Sequence, residues 1–281
     1  MASFTGSPPV GVNPKLLYAI FKYQHECKNS EKKAYQHLKQ IYFEHSASQS
    51  MLVSVIKYLL SYSEDINKNY YEEIRLLEQA AHTFVMNGYI SRSLFCFNDL
   101  SLAYSNVFDY EKSVNAAEKA MRIAGQINNL EMLNGMYNNL SIIYHQMEDY
   151  EKAKEYATIV KDIPLFSLSA YSILVVANMR FGDIQEAKSA MEVLEKMNQK
   201  ENSEHYGHFI RVNKAKLYNK KGPHYYSALK AYLHYAKDNL PISRSIRIYE
   251  DMIDYCRENS MYDELIAYHE KINECYKLIK K

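Results

Sequence analysis

The tetrad Asp-Tyr-Glu-Lys is written twice, at Asp109–Lys112 and Asp149–Lys152, with an offset of 40 residues. A third, degenerate copy, GDIQEAKSA, begins at Gly182. Each copy follows an apolar stretch: SLFCFNDLSLAYSNV, LNGMYNNLSIIYHQM and LSAYSILVVANMRF. A period of this size is the mark of one supersecondary unit repeated along the chain. Such a unit cannot bury its apolar face alone, so its copies must stack on one another.

The three stretches align residue by residue. An aromatic stands at Phe97, Tyr137 and Tyr171, and Leu follows at Leu100, Leu140 and Leu174. Next come Ser101, Ser141 and Val175, then Tyr104, Tyr144 and Asn178. This i, i+3, i+4, i+7 spacing places each set on one face of a helix. After the tetrad a second helix is expected. Its inward positions are Ser113, Ala117 and Ala120, then Ala153, Ala157 and Val160, then Ala187, Met191 and Leu194. Small residues there let the two helices approach closely. The Asp of the tetrad is expected to cap the second helix, accepting from its orphan N–H groups, with the Tyr packing back on the first.

Only 8 Gly and 6 Pro occur in 281 residues, which suits helices rather than strand-rich folds. Pro164, Pro223 and Pro241 fall between expected helices. The fold class is therefore all-α, a right-handed superhelix of about six or seven antiparallel helix pairs. Residues 1–13 read as a flexible lead or expression scar and 14–281 as one repeat domain, clearest over 94–197. Weaker units are expected around Tyr18, Phe21, Ala34, Leu38 and Ile41, over Ala215–Ala236, and around Tyr249, Met252, Leu265 and Ile272. The stretch from Met51 to Phe84 pairs two helices without the pattern. The final stretch, amphipathic through Leu265, Ile272, Tyr276 and Ile279, either caps the stack or forms a homodimer face, and capping is the simpler reading.

Charge and composition narrow the function. A net charge of +1 supplies no cationic field for phosphates, so direct nucleic-acid binding is not expected. No apolar run is long enough to span a membrane. Cys27, Cys96, Cys256 and Cys275 read as reduced core residues of a cytoplasmic protein. Neither a nucleophile–base pattern nor a phosphate loop is present, so no catalytic residue and no cofactor are assigned and the chain is not expected to be an enzyme. His205 and His208 are one turn apart but lack a third ligand, so no metal is assigned.

What remains is binding. Positions beside the packing face of the first helices are expected to line a groove: Asn98, Asp99, Asn138, Asn139, Ile142 and His145. An Asn amide both donates and accepts, so it can bracket a peptide backbone whatever the side chains. Asn213 is the equivalent in a later unit. Arg180 and Arg211, with Lys214, Arg244 and Arg247, form a second set suited to a carboxylate. The peptide-binding candidates are thus Asn98, Asn138, Asn139, His145, Arg180, Arg211 and Asn213. Tyr23, Tyr171 and Tyr206 are further groove candidates, Tyr171 fitting the core better.

The pattern resembles the tetratricopeptide repeat, best at Tyr137, Leu140, Ser141, Tyr144, Ala153 and Ala157, with Ser101, Ser141 and Val175 where Gly is usual. The units of the form YNNLSIIYHQMEDYEKAKEYA, with a Lys-, Asn-, Ile- and Tyr-rich composition, also resemble the peptide-pheromone receptors of Gram-positive bacteria, of Rap, PlcR and NprR type. That resemblance covers about residues 90–281. It implies a quorum-sensing regulator of transcription or of a response-regulator pathway. Such a receptor would bind a short peptide in its concave face through groove Asn residues, here Asn139 first. No helix-turn-helix domain is evident, and no catalytic Gln of a phosphatase can be placed. A scaffold docking a partner's tail or helix is the alternative, and a response-regulator phosphatase a third.

Overall fold

A computed structural model describes residues 14–26, 31–45 and 50–280. The expected lead, residues 1–13, and Cys27 lie outside the described residues. Among these there are fourteen α-helices and no strand, which makes seven antiparallel pairs. The pairs are α1 (Pro14–Glu26) with α2 (Glu31–His45), α3 (Met51–Ile66) with α4 (Tyr70–Met86), and α5 (Ile90–Asn106) with α6 (Tyr110–Gln126). They continue as α7 (Leu130–Gln146) with α8 (Tyr150–Val160), and α9 (Ser167–Phe181) with α10 (Ile184–Glu201). The last are α11 (Glu204–Asn219) with α12 (Pro223–Asn239), and α13 (Ile242–Glu258) with α14 (Tyr262–Ile279). The chain is an all-α helical-repeat solenoid. It divides into two compact units, one ending at Cys96 and the next beginning at Phe97, within α5.

The repeat period has a mechanical origin in the turns. Helix α5 ends with Phe108 in the left-handed region at φ 63°. The Phe108 N–H donates to the Ser105 carbonyl at 3.1 Å and the Asp109 N–H to the Tyr104 carbonyl at 3.0 Å. These two bonds make a Schellman closure, which satisfies the last carbonyls of a helix. Asp109 then caps α6, accepting from the Lys112 N–H at 3.3 Å. One residue therefore ends one helix and starts the next. The same arrangement recurs at Asp149, which accepts from the Lys152 N–H at 3.2 Å after the left-handed Glu148. Left-handed residues stand at Lys68, Gly88, Phe108, Asn128 and Glu148, so the true period is 20 residues, one 17-residue helix and a three-residue turn. The spacing ends at α8, which has 11 residues and stops before Pro164.

The rest of the tetrad has visible work. The Lys112 ammonium lies 3.1 Å from Asp109 and over the Tyr104 ring at 5.4 Å; Lys152 repeats this with Asp149 at 3.6 Å and Tyr144 at 4.7 Å. The third copy departs. Asp183 makes no side-chain cap bond, and its carboxylate instead faces Lys154 at 3.7 Å. There the left-handed turn residue is Gly182.

The aligned positions are buried as their spacing requires. Leu100, Leu140, Ser101, Ser141, Val175, Ala117, Ala153 and Ala187 are among the least exposed side chains. Ser in place of Gly is accommodated because each hydroxyl bonds its own helix: Ser101 donates to the Asn98 carbonyl at 2.6 Å and Ser141 to that of Asn138 at 2.7 Å. In the first unit the core stripe is Leu16, Ala19, Ile20 and Tyr23. Tyr18, expected inside, is exposed, because it lies off that i, i+3, i+4, i+7 face. The Phe21 side chain lies outside the described residues. The buried Glu64 carboxylate is satisfied by the Tyr35 hydroxyl, Lys39 at 3.3 Å and Asn69 at 2.9 Å. Tyr23 is also core, its hydroxyl 3.1 Å from Ser63.

The shared turn residue gives a paired expectation. Asp149→Ala lowers stability by about 1 kcal/mol, the worth of an N-cap. Ser260→Gly, at φ 57°, raises it by about 0.5 kcal/mol, relief of a left-handed penalty of about 1–2 kcal/mol being partly offset by glycine's freer unfolded chain. Urea denaturation of both variants checks the signs.

Candidate functional site

In the second unit the odd-numbered helices present their inner faces to one another. Side chains of α7, α9, α11 and α13, with Tyr150 of α8 and Leu229 and Tyr232 of α12, line an open cavity of about 210 Å³. Its apolar wall includes Val176, Phe209, Val212 and Ile248. Its polar wall holds His145, Arg180, Asn213, Lys216, Arg244 and Arg247 among others.

The far side is held in place by α13. Arg247 bonds Glu148 at 3.2 Å, Glu250 at 3.3 Å, the Tyr110 hydroxyl at 3.2 Å and the carbonyl of Gln146. The last carbonyls of α7 carry the partial negative end of that helix, which suits a cation. Around this contact Phe108 meets Tyr276 at 5.6 Å and Ser243 meets Asn106 at 3.3 Å.

The cavity's charges are mostly committed. Four carboxylates line it, Glu148, Glu250, Asp251 and Asp254. Glu148 and Glu250 pair with Arg247, Asp251 with Lys216 at 2.8 Å, and Asp254 with Arg257 at 2.8 Å. Among the described residues neither Arg180 nor Arg244 has a carboxylate within 4.0 Å; Arg180 lies instead over the Tyr150 ring at 5.3 Å. His145 feels the result. Burial, then the charges of Arg244, Arg247, Arg180 and Lys216, push its imidazole down to about 3, and its Nδ1 is buried with no partner. Burial and Arg244 likewise push His205 down to about 4.

The expected site residues thus sort into three groups. His145, Arg180 and Asn213 come together on the cavity, with Arg244 and Arg247. Asn213 is itself anchored, its amide donating to the Phe209 carbonyl at 2.9 Å. Asn98, Asn138 and Asn139 form a second cluster across α5 and α7. The Asn139 amide donates to Asn98 at 3.2 Å and to Ser101 at 3.4 Å, Asn98 donates to Asp99 at 2.6 Å, and the Asn138 Oδ1 is buried without a partner. Arg211 stands apart, bonding the Gly207 carbonyl and His208 at 3.2 Å each, and Lys214 pairs with Glu195 at 2.5 Å. His205 faces Tyr232 at 3.3 Å and His208 lies 3.9 Å from Glu204. Lys216, Glu148, Tyr150 and Asp251 complete the cavity and were not among the expected residues. Lys216 could have been found as the residue one turn beyond Val212 on the same face.

No protein-family model matches the chain, and no curated protein matches its sequence. Solved structures do match. The apo form of RapI superposes with a TM-score of 0.77 at 14% identity, covering 95% of this chain and 99% of that one. Aspartyl phosphate phosphatase F from Bacillus subtilis gives 0.73 at 16%, covering 93% and 72%. The Rap conjugation gene regulator of plasmid pLS20, in complex with the Phr* peptide, gives 0.68 at 13%, covering 99% and 80%. The chain has the Rap fold. No described helix is long and apolar enough to cross a membrane.

Two expectations follow from the geometry. Removing Arg247 leaves Glu250 and the Gln146 carbonyl without their charge-assisted partner. Arg247→Ala therefore costs about 1.5–3 kcal/mol in urea denaturation, and amides around 146–150 exchange faster. Lys at this position restores less than half, since a point charge cannot span these acceptors.

His145 gives a pH dependence. Its folded value lies below the unfolded 6.5, so the unfolded chain binds the extra proton. Stability is present above about pH 6.5 and drains as pH falls toward 3. His145→Gln should flatten the slope of stability against pH between 4 and 6.5, and an unchanged slope would show that other groups set it.

Proposed function

We propose that the chain is a peptide-binding regulator, taking a short extended peptide on the inner face of α7, α9, α11 and α13. The observation that carries this is the cavity itself. It combines an apolar floor with amide, imidazole and guanidinium groups from four successive repeats, the mixture that reads backbone and side chains together. The complex of a similar fold with the Phr* peptide supports the reading. In this reading the Asn98, Asn138 and Asn139 cluster carries the peptide on from the cavity toward α5, the Asn138 amide turning its partnerless Oδ1 outward to a peptide N–H. Asn139 orients that row through Asn98. In this reading the protein acts within the cytoplasm, and peptide occupancy controls a transcriptional or response-regulator pathway. Catalysis forms no part of it; the phosphatase description belongs to the similar protein.

Isothermal calorimetry against short synthetic peptides tests the assignment. Asn138→Ala, Asn139→Ala and Asn213→Ala should each weaken a bound peptide by about tenfold or more. Unchanged affinity in all three would remove the asparagines from the site.

A further inference from the structure

Resting on that peptide reading, we propose that the cavity end of the groove receives a carboxylate, held between Arg180 and Arg244. The first argument is the charge balance. Four carboxylates and four cations line the cavity, but the carboxylates are all engaged: two by Arg247, one by Lys216 and one by Arg257, which does not line it. Two guanidinium groups are left over, from α9 and α13. Guanidinium groups facing a cleft without a carboxylate partner favour an anion from solution, and guanidinium selects a planar, two-oxygen one.

The second argument is the partnerless Nδ1 of His145, buried in the same wall. The imidazole is neutral in this field. With a proton on Nδ1 it donates a third bond to the same anion. An aromatic side is supplied by Tyr150, whose ring lies beneath the Arg180 guanidinium at 5.3 Å and packs on His145 at 5.8 Å. The arrangement is thus supported from behind rather than open on all sides. The neighbouring cations of α11 are engaged, Arg211 by the Gly207 carbonyl and His208, Lys214 by Glu195. Among the cations, recognition of the anion falls to Arg180 and Arg244.

A peptide offers a carboxylate at its C-terminus or on Asp and Glu. Three random hexapeptide pools separate these: a free C-terminus without Asp or Glu, an amidated C-terminus with Asp and Glu, and an amidated C-terminus without them. Each is passed over the immobilised full chain and the retained fraction read by mass spectrometry. Retention of the first or second pool at least about tenfold above the third is expected, and the retained pool names the source. The double variant Arg180→Gln/Arg244→Gln should bring it down to the third pool's level. Arg122→Gln, an exposed cation on α6, should not, and matched thermal melts show that each variant is folded. Equal retention of all three pools, or retention unchanged in the folded double variant, overturns the carboxylate and leaves the peptide reading standing. Retention of none overturns the peptide reading and the carboxylate with it.

Discussion

The regular part of the architecture depends on one backbone arrangement, a left-handed residue followed by a residue that serves two helices. At Asp109 and Asp149 the backbone N–H closes the helix before and the carboxylate caps the helix after. Because only three residues separate the helices, the second must return antiparallel against the first. Small side chains such as Ala117 and Ala153, fully buried, then set how close it lies. In the second unit, left-handed residues 20 apart at Phe108, Asn128 and Glu148 return the same helix faces to the same side from one helix pair to the next. The groove is a by-product of this regularity.

The groove differs from the stack in its chemistry. Elsewhere between repeats the polar contacts are isolated, a hydrogen bond such as Asn139 on Asn98 or a single ion pair such as Lys154 with Asp183. In the cavity, charges from several repeats are brought within one space. Most cancel in pairs, some within α13, as Arg247 with Glu250, and some across helices, as Lys216 of α11 with Asp251 of α13. A partly desolvated pair of this kind adds little net stability but fixes side-chain positions. The two guanidinium groups left without a carboxylate then stand on a rigid surround.

The helical pairs, their turns and their core faces were legible because each depends on residues close in sequence. Leu140, Ser141 and Tyr144 show their face by spacing alone, and Asp149 shows its cap by preceding a helix. Tyr18 was misplaced since the first unit has too few aligned copies to set its register. The cavity was half legible. His145, Arg180 and Asn213 share a face that spacing reveals. Whether a cation is free, however, depends on a carboxylate one repeat away. Nothing in the sequence of α11 tells that Lys214 meets Glu195 of α10 whereas Lys216 meets Asp251 of α13.

The contacts of α13 with the ends of α5 and α7, Arg247 on Gln146 101 positions away and Ser243 on Asn106 137 positions away, join repeats that are not neighbours, while the repeats otherwise touch mainly theirs. A stack with only neighbour contacts behaves as a one-dimensional array, in which any repeat can open with its local cost and end repeats fray first. Bonds spanning several repeats change those statistics. Opening α9, α11 or α13 now breaks the long-range bonds as well, so these repeats gain or lose order together. The bonds also cannot form until the intervening repeats have stacked, which places them late in folding and makes them a report on the integrity of all of them.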